Sequence, residues 1–309
     1  MAETKLCKIC GKVIPKDNMF KIVVTGGAGF IGSHLVDRLI ELGHEVLVID
    51  DLSSGKEENI NPKAKFVKCD ITSDWNFSDR PDYVFHLAAI PRVPFSVTNP
   101  AITHYVNVDG TLNVLECCRA AKVEKVIFAS SSSVYGDQKL PLRENMKMKP
   151  VSPYALHKSI GEQYMKLYDE LYDLKTLSLR FFNVYGPRCD PNSEYSLVIG
   201  KFIKARNEGK PLTIFGDGEQ TRDFTYVSDV VDGLIAGMEN KVHNEVINLC
   251  NGSDVSINRI ADMIGGEKQY LPARKGDILR TLGDNKKAKK LLYWNPKILI
   301  NEGLRLMEA

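Results

Sequence analysis

FKIVVTGGAGFIGSHL, Phe20 to Leu35, decides the fold. Phe20 to Thr25 is a short β-rich apolar run, and it breaks at once into glycines. From Phe30 to Leu42 apolar and polar residues alternate at helical spacing, with Gly43 placed to cap that helix. Glu45 to Ile49 reads as a second strand and ends at Asp50-Asp51. Strand, glycine loop, helix, strand and acid follow one another without a gap. Gly27-x-Gly29-x-x-Gly32 matches the dinucleotide fingerprint, and Gly26-x-x-Gly29-x-x-Gly32 matches its variant spacing. Glycines let the backbone approach a pyrophosphate, and the helix N-terminus offers it free N–H groups and partial positive charge. The loop lies between a strand and a helix, the context the fingerprint requires. Asp50 stands where an acid accepts bonds from the adenosine ribose hydroxyls. It would repel a 2′-phosphate, so NAD is expected over NADP.

The alternation continues outward. Strands are predicted at Lys65 to Cys69, Tyr83 to Leu87, Lys125 to Ala129 and Thr176 to Phe182. Helices are predicted at Ala101 to Ala121 and Pro153 to Tyr172, the second with proline in an allowed first position. Strands alternating with helices imply an α/β, Rossmann-type doubly wound parallel sheet. After Asn183 the turns Tyr185-Gly186-Pro187 and Asp190-Pro191-Asn192 change the rhythm. Shorter elements follow, at Leu197 to Asn207, Leu212 to Phe215, Val227 to Met238 and Ile257 to Ile264. The expected organisation is an extension over 1–18, a dinucleotide-binding domain over 19–182 and a smaller α/β substrate lobe over 183–309.

A 309-residue chain with net charge +2 suits a large globular core. It has no basic stripe, so nucleic acid is not an expected partner. No apolar run approaches the ~20 residues of a membrane span, and the first residues lack a signal pattern. The expected location is the cytoplasm. The seven cysteines are an odd number, which argues against a disulfide framework. Cys7 and Cys10, in Cys7-Lys8-Ile9-Cys10-Gly11-Lys12, resemble one knuckle of a zinc ribbon. A structural zinc needs four ligands, and no second Cys-x-x-Cys follows, so no metal is expected unless two subunits share an ion.

The catalytic expectation rests on Tyr-x-x-x-Lys, which occurs three times. Tyr293…Lys297 contains Pro296, which disfavours a helix. Tyr135…Lys139 runs through a turn at Gly136-Asp137-Gln138. Only Tyr154…Lys158 falls in the first turns of a predicted helix, where i and i+4 share a face. An ammonium beside a phenol favours the phenolate and makes a usable general base. The strand Lys125 to Ala129 delivers Ser130, Ser131, Ser132 and Ser133 to the carboxyl end of the sheet, where ligands bind.

TGGAGFIGSH, HLAA, NVDGTLNVL, SSSSVYG, YALHK and RFFNVYGPR follow in this order from Thr25 to Arg188. The set resembles the extended short-chain dehydrogenases/reductases of the NAD-dependent epimerase/dehydratase family, and within it is most similar to the UDP-sugar 4-epimerases. The resemblance implies Tyr154 as base and Lys158 as its partner and nicotinamide-ribose ligand. Ser131 would be the catalytic serine, with Ser132 as fallback. For NAD it implies Gly26, Gly29, Phe30, Ile31 and Gly32 at the pyrophosphate, Asp50 and Asp51 at the ribose, and Asp70 and Ile71 near the adenine. Leu87, Ala88 and Ala89 would line the cofactor, with Asn107 close by. For a UDP-sugar substrate it implies Asn183, Arg222, Arg274 and Asp277. Pro91 departs from the lysine of some members, and Arg92 is a candidate replacement. The family's usual homodimer, through helices near Ala101–Ala121 and Pro153–Tyr172, is expected too.

Ser131-Ser132-Ser133 lacks the carboxylate that the family's dehydratases and decarboxylases carry before V-Y-G. A UDP-glucuronate 4-epimerase often reads S-S-S-S-V-Y-G and stays open, as does another dehydratase or reductase of the family. A catalytically silent NAD-binding regulator is the alternative of another class. Residues 190–199 are similar to epimerases that accept N-acetylated sugars. Four residues beyond Asp277 the family has a gatekeeper, here the small Thr281. Expected substrates are therefore UDP-glucose and UDP-galactose, extending to UDP-GlcNAc and UDP-GalNAc.

Overall fold

The computed structural model describes residues 19–189, 198–273 and 279–308, together with the backbone of 5–6 and 13–14. Lys5–Leu6 pairs antiparallel with Val13–Ile14. Packing groups the chain into two units. One runs to Ser130 and adds Val151–Leu179 and Gly237–Val246. The other holds Ser131–Pro150, Arg180–Ala236 and Ile247 onward.

The central sheet has seven strands: β1 (Lys21–Thr25), β2 (Glu45–Asp50), β3 (Lys65–Lys68), β4 (Tyr83–His86), β5 (Lys125–Ser131), β6 (Lys175–Phe181) and β7 (Glu245–Leu249). Their order is β7-β6-β5-β4-β1-β2-β3, a parallel, Rossmann-like sheet. Its strands are near-continuous apolar runs because both faces are covered. Ile22, Val23, Val24, Val84, Phe85, Val126, Ile127 and Phe128 are all buried. The chain order reverses between β1 and β4, with Thr25 level with His86. That reversal opens a crevice beyond the carboxyl ends of the strands, the usual ligand position in such sheets.

Helix α1 (Phe30–Glu41) buries Leu35, Val36 and Leu39, and Gly43 at φ +90° turns the chain back to β2. Val93–Thr98 forms a short helix, α2, that the sequence did not announce. The long helix expected over Ala101 to Ala121 is present, with a π-helical turn (Tyr105–Asp109) between α3 (Pro100–His104) and α4 (Gly110–Ala120). Helix α5 (Pro153–Tyr172) starts where expected. The Ser152 side chain accepts from Ala155 N–H, and the helix ends at Asp173 in the left-handed region. Gly161 lets α5 lie close on β5, since a Cβ there would sit 2.6 Å from Phe128 Cζ.

In the second unit Val184–Tyr185 pairs parallel with Thr225–Tyr226, and Leu212–Phe215 with Lys268–Leu271. Thr221–Arg222 pairs antiparallel with Val255–Ser256. Val134, Tyr135, Leu142, Phe182 and Cys250 form one of its apolar clusters.

Candidate active site

The glycine loop is a cradle that no larger residue could form. A Cβ on Gly26 would lie 2.7 Å from Ala88 N, and one on Gly32 would lie 2.1 Å from Gly26 O. Gly29 caps α1 with no side chain over the helix end, so the first turn presents backbone N–H groups. Asp50 ends β2 and is buried. Its carboxylate accepts from Ala28 N–H at 3.0 Å and Leu52 N–H at 2.9 Å, tying the loop to the strand. Burial raises its pKa, and the two N–H bonds oppose the rise. Cradle, open helix end and acid fit a dinucleotide.

The other expected cofactor residues fall into two groups. Leu87, Ala88 and Ala89 follow β4 directly at the switch point, with Leu87 N–H donating to Thr25 O. Phe30 and Ile31 are half-buried in the first turn of α1. Asp51 and Asp70 are exposed and accept from Ser53 and Thr72 in local turns. Ile71 spends its side chain in the core beside Val114 and Leu115.

Asn107 lies in the π-helical turn and grips Ile90 twice. Its Oδ1 accepts from Ile90 N–H at 2.7 Å, and its Nδ2 donates to Ile90 O at 3.0 Å. The backbone carbonyl of Asn107 accepts from Thr111 Oγ1. With that proton spent, Thr111 Oγ1 must accept from His86 Nε2, 2.9 Å away. His86 Nδ1 is then the acceptor for Thr25 Oγ1 at 2.8 Å, which in turn accepts from Ala88 N–H. The neutral imidazole satisfies every group in this buried chain. Burial first, and Lys158 second, push the His86 pKa down to about 3. Residues 87–90 are thus held from both sides. Asn107→Ala strands two backbone groups at a cost of about 1–3 kcal/mol. The purified variant is expected to melt lower and retain less NAD, measured by thermal shift and bound-cofactor content; full NAD retention contradicts this.

Tyr154 and Lys158 share the first turns of α5, as expected, and both are buried. Tyr154 N–H donates to Ser96 Oγ at 3.1 Å, so α2 caps the N-terminal end of the helix. Lys158 Nζ donates to Ala129 O at 2.7 Å and lies 4.8 Å from the Phe128 ring centroid and 5.9 Å from that of Tyr154. Burial pulls its pKa down to about 7, and Glu162 opposes the fall. Glu162, also buried, accepts from Ser130 Oγ at 2.5 Å. Ser130 is therefore committed to α5. The rival pairs are not helical: Tyr135 precedes Gly136 at φ +63° and Tyr293 is itself left-handed.

In the second unit Ser131 caps the 3₁₀ turn Ser132–Tyr135. It accepts from both Ser133 N–H and Ser133 Oγ, so neither bond spends its own proton. Three expected substrate residues converge. Asn183 Nδ2 donates to Asp223 O at 3.2 Å and to Thr281 Oγ1 at 3.4 Å, and Arg222 adjoins Asp223 and bonds Thr221 O. Arg274, Asp277, Cys7 and Cys10 lie outside the described residues. Sequence reasoning missed Ser96, Thr25, Thr111, Glu162 and Asp223. Thr25, His86 and Thr111 lay inside the motifs TGGAGFIGSH, HLAA and NVDGTLNVL.

Sheet order, glycine cradle and a helical Tyr/Lys pair define a dinucleotide-dependent enzyme of the short-chain dehydrogenase/reductase type. The chain belongs to the NAD dependent epimerase/dehydratase family, whose profile matches residues 22–250. A UDP-glucose 4-epimerase of Mycolicibacterium smegmatis is 40% identical over 302 residues, covering 92% of this chain and 96% of that protein. The structure of a Thermotoga maritima UDP-glucose 4-epimerase with UDP-glucose matches at TM-score 0.87 and 40% identity, over 93% of this chain and 97% of that one. A UDP-N-acetylglucosamine 4-epimerase of Methanobrevibacter ruminantium, in complex with UDP-N-acetylmuramic acid, matches at TM-score 0.89 and 40% identity, over 94% and 97%. These relatives are isomerases, and NAD is the cofactor of the family.

Proposed function

We propose that this protein interconverts UDP-hexoses epimeric at C4, using a permanently held NAD. The helical pair Tyr154/Lys158, in the same chain as the Asp50-anchored glycine cradle, carries the reading. Tyr154 Oη takes the proton of the sugar 4-OH. Lys158 supplies the adjacent positive charge that favours the phenolate, and it binds the nicotinamide ribose. Ser131 bonds the same substrate oxygen and helps pass its proton. Bound NAD⁺ supplies a reversible hydride acceptor, so the sugar passes through a 4-keto state with no net oxidation. Gly26, Gly29 and Gly32 seat the pyrophosphate, and Asp50 holds the adenosine ribose and disfavours a 2′-phosphate. Asn183, Arg222, Arg274 and Asp277 hold the nucleoside diphosphate.

A homodimer belongs to the same reading. Ile102, Tyr105, Leu156, Leu167, Leu171 and Tyr172 are exposed on α3, the π-helical turn and α5, and such an apolar set supports a subunit contact. No described helix is long and apolar enough to cross a membrane. A cytoplasmic location without a nucleic-acid partner is part of the proposal.

A panel of UDP-glucose, UDP-GlcNAc and UDP-glucuronate with product analysis separates the hexose reading from a glucuronate 4-epimerase. Turnover of none leaves a silent NAD-binding regulator. Thr281 is small and adjoins Asn183, which supports room for an acetamido group. Thr281→Tyr is expected to lower activity on UDP-GlcNAc at least ~10-fold more than activity on UDP-glucose, about the discrimination a few buried contacts supply. Equal loss on both substrates overturns the gatekeeper role.

A further inference from the structure

Asp223 is buried, yet its carboxylate accepts three backbone N–H groups from two distant segments. Oδ1 accepts from Asn251 N–H at 2.9 Å. Oδ2 accepts from Gly252 N–H and Gly283 N–H, both at 3.1 Å. Both glycines are required for this. Gly252 sits at φ +83°, and a Cβ on Gly283 would lie 2.5 Å from Cys250 Sγ. The backbone of the same residue makes two more bonds: its N–H donates to Thr281 Oγ1 at 3.4 Å, and its carbonyl accepts from Asn183 Nδ2 at 3.2 Å. Thr281 N–H closes the circuit on Thr221 O.

We infer that Asp223 is the positioning residue of the UDP-sugar site, holding Asn183, Arg222 and Thr281 in one register by tying the strand Thr221–Arg222 to 251–252 and to Gly283. The inference rests on the proposed substrate roles of those three residues. A carboxylate is needed because three donors converge on two oxygens. An amide offers one accepting oxygen and two further donors, so Asp223→Asn would set N–H against N–H at Asn251 or at the two glycines. Burial pushes the Asp223 pKa up to about 7, while the three N–H donors oppose that rise. A buried polar knot that is fully paired fixes one arrangement of its segments.

The test is Asp223→Asn in the NAD-loaded protein, read by UDP affinity in calorimetry, by KM and kcat with UDP-glucose, and by NAD content. The expected result is a KM and a UDP dissociation constant raised at least ~10-fold, as for a misplaced bidentate contact, with NAD content intact and kcat changed less than threefold. A merely structural role would lower NAD content, Tm and kcat together, and that outcome overturns the inference. If Asp223→Asn does not fold, Thr281→Val replaces it. It removes only the acceptor shared by Asn183 and Asp223, and the inference requires weaker UDP binding with NAD content unchanged. Arg222→Leu is the control for the substrate roles: if it leaves UDP affinity intact, the reading of the site fails. If Arg222→Leu weakens binding and Asp223→Asn does not, the positioning role alone fails.

Discussion

Tyr154→Phe is expected to lower epimerase turnover by about 10²–10⁴-fold, the range that a positioned general acid–base supplies. The substitution removes one oxygen and little else. The ring keeps its place 5.9 Å from Lys158 Nζ. The backbone N–H keeps its bond to Ser96 Oγ, and Ser152 still caps the helix. Circular dichroism, Tm and bound NAD are therefore expected to match the wild type. Loss of activity with loss of NAD would instead mark a packing defect. Full activity would remove Tyr154 from the chemistry, and neither rival pair could replace it, since neither is helical.

The second large effect is at Gly32. A Cβ there would meet Gly26 O at 2.1 Å, Gly26 C at 2.9 Å and Gly27 Cα at 2.9 Å. All three are backbone atoms of the loop itself, so no side chain can move aside. Gly32→Ala must push α1 away from the loop, at the ~1–3 kcal/mol typical of overpacking. The displaced cradle can no longer seat a pyrophosphate closely. The variant is expected to purify with at least ~10-fold less NAD, as expected for a lost preorganised contact set, and with activity reduced in proportion. Gly43→Ala serves as the contrast. Gly43 is a glycine at positive φ, but nothing lies within 4 Å of its Cβ position, so bound NAD is expected to be unchanged. Equal NAD content in the Gly32 and Gly43 variants would show that close approach at the loop is not what holds the cofactor.

What the sequence revealed was local. The β1–loop–α1–β2 unit was legible because period, glycine spacing and the terminal acid all lie within about one supersecondary unit's reach. The Tyr154/Lys158 pair was legible because helical geometry fixes i and i+4 without tertiary help. What stayed hidden was non-local. Strand β7 reaches the sheet edge from residue 245 and has no partner nearby in sequence. The π-helical turn at Tyr105–Asp109 carries no composition of its own, and its purpose appears only when Asn107 is seen gripping Ile90. The serine run offered four hydroxyls, and only the fold assigns Ser130 to Glu162. Asp223 carried no signal of its own, because its donors come from residues 251, 252 and 283.

The central claim is a reversible transfer of the C4 hydrogen within one active site. It is tested most directly with UDP-glucose deuterated at C4, incubated with the purified protein without added NAD. The account predicts UDP-galactose carrying deuterium at C4, with no label lost to solvent and a final mixture independent of which sugar is supplied. Absence of conversion, or a product whose C4 carries solvent hydrogen, would contradict it.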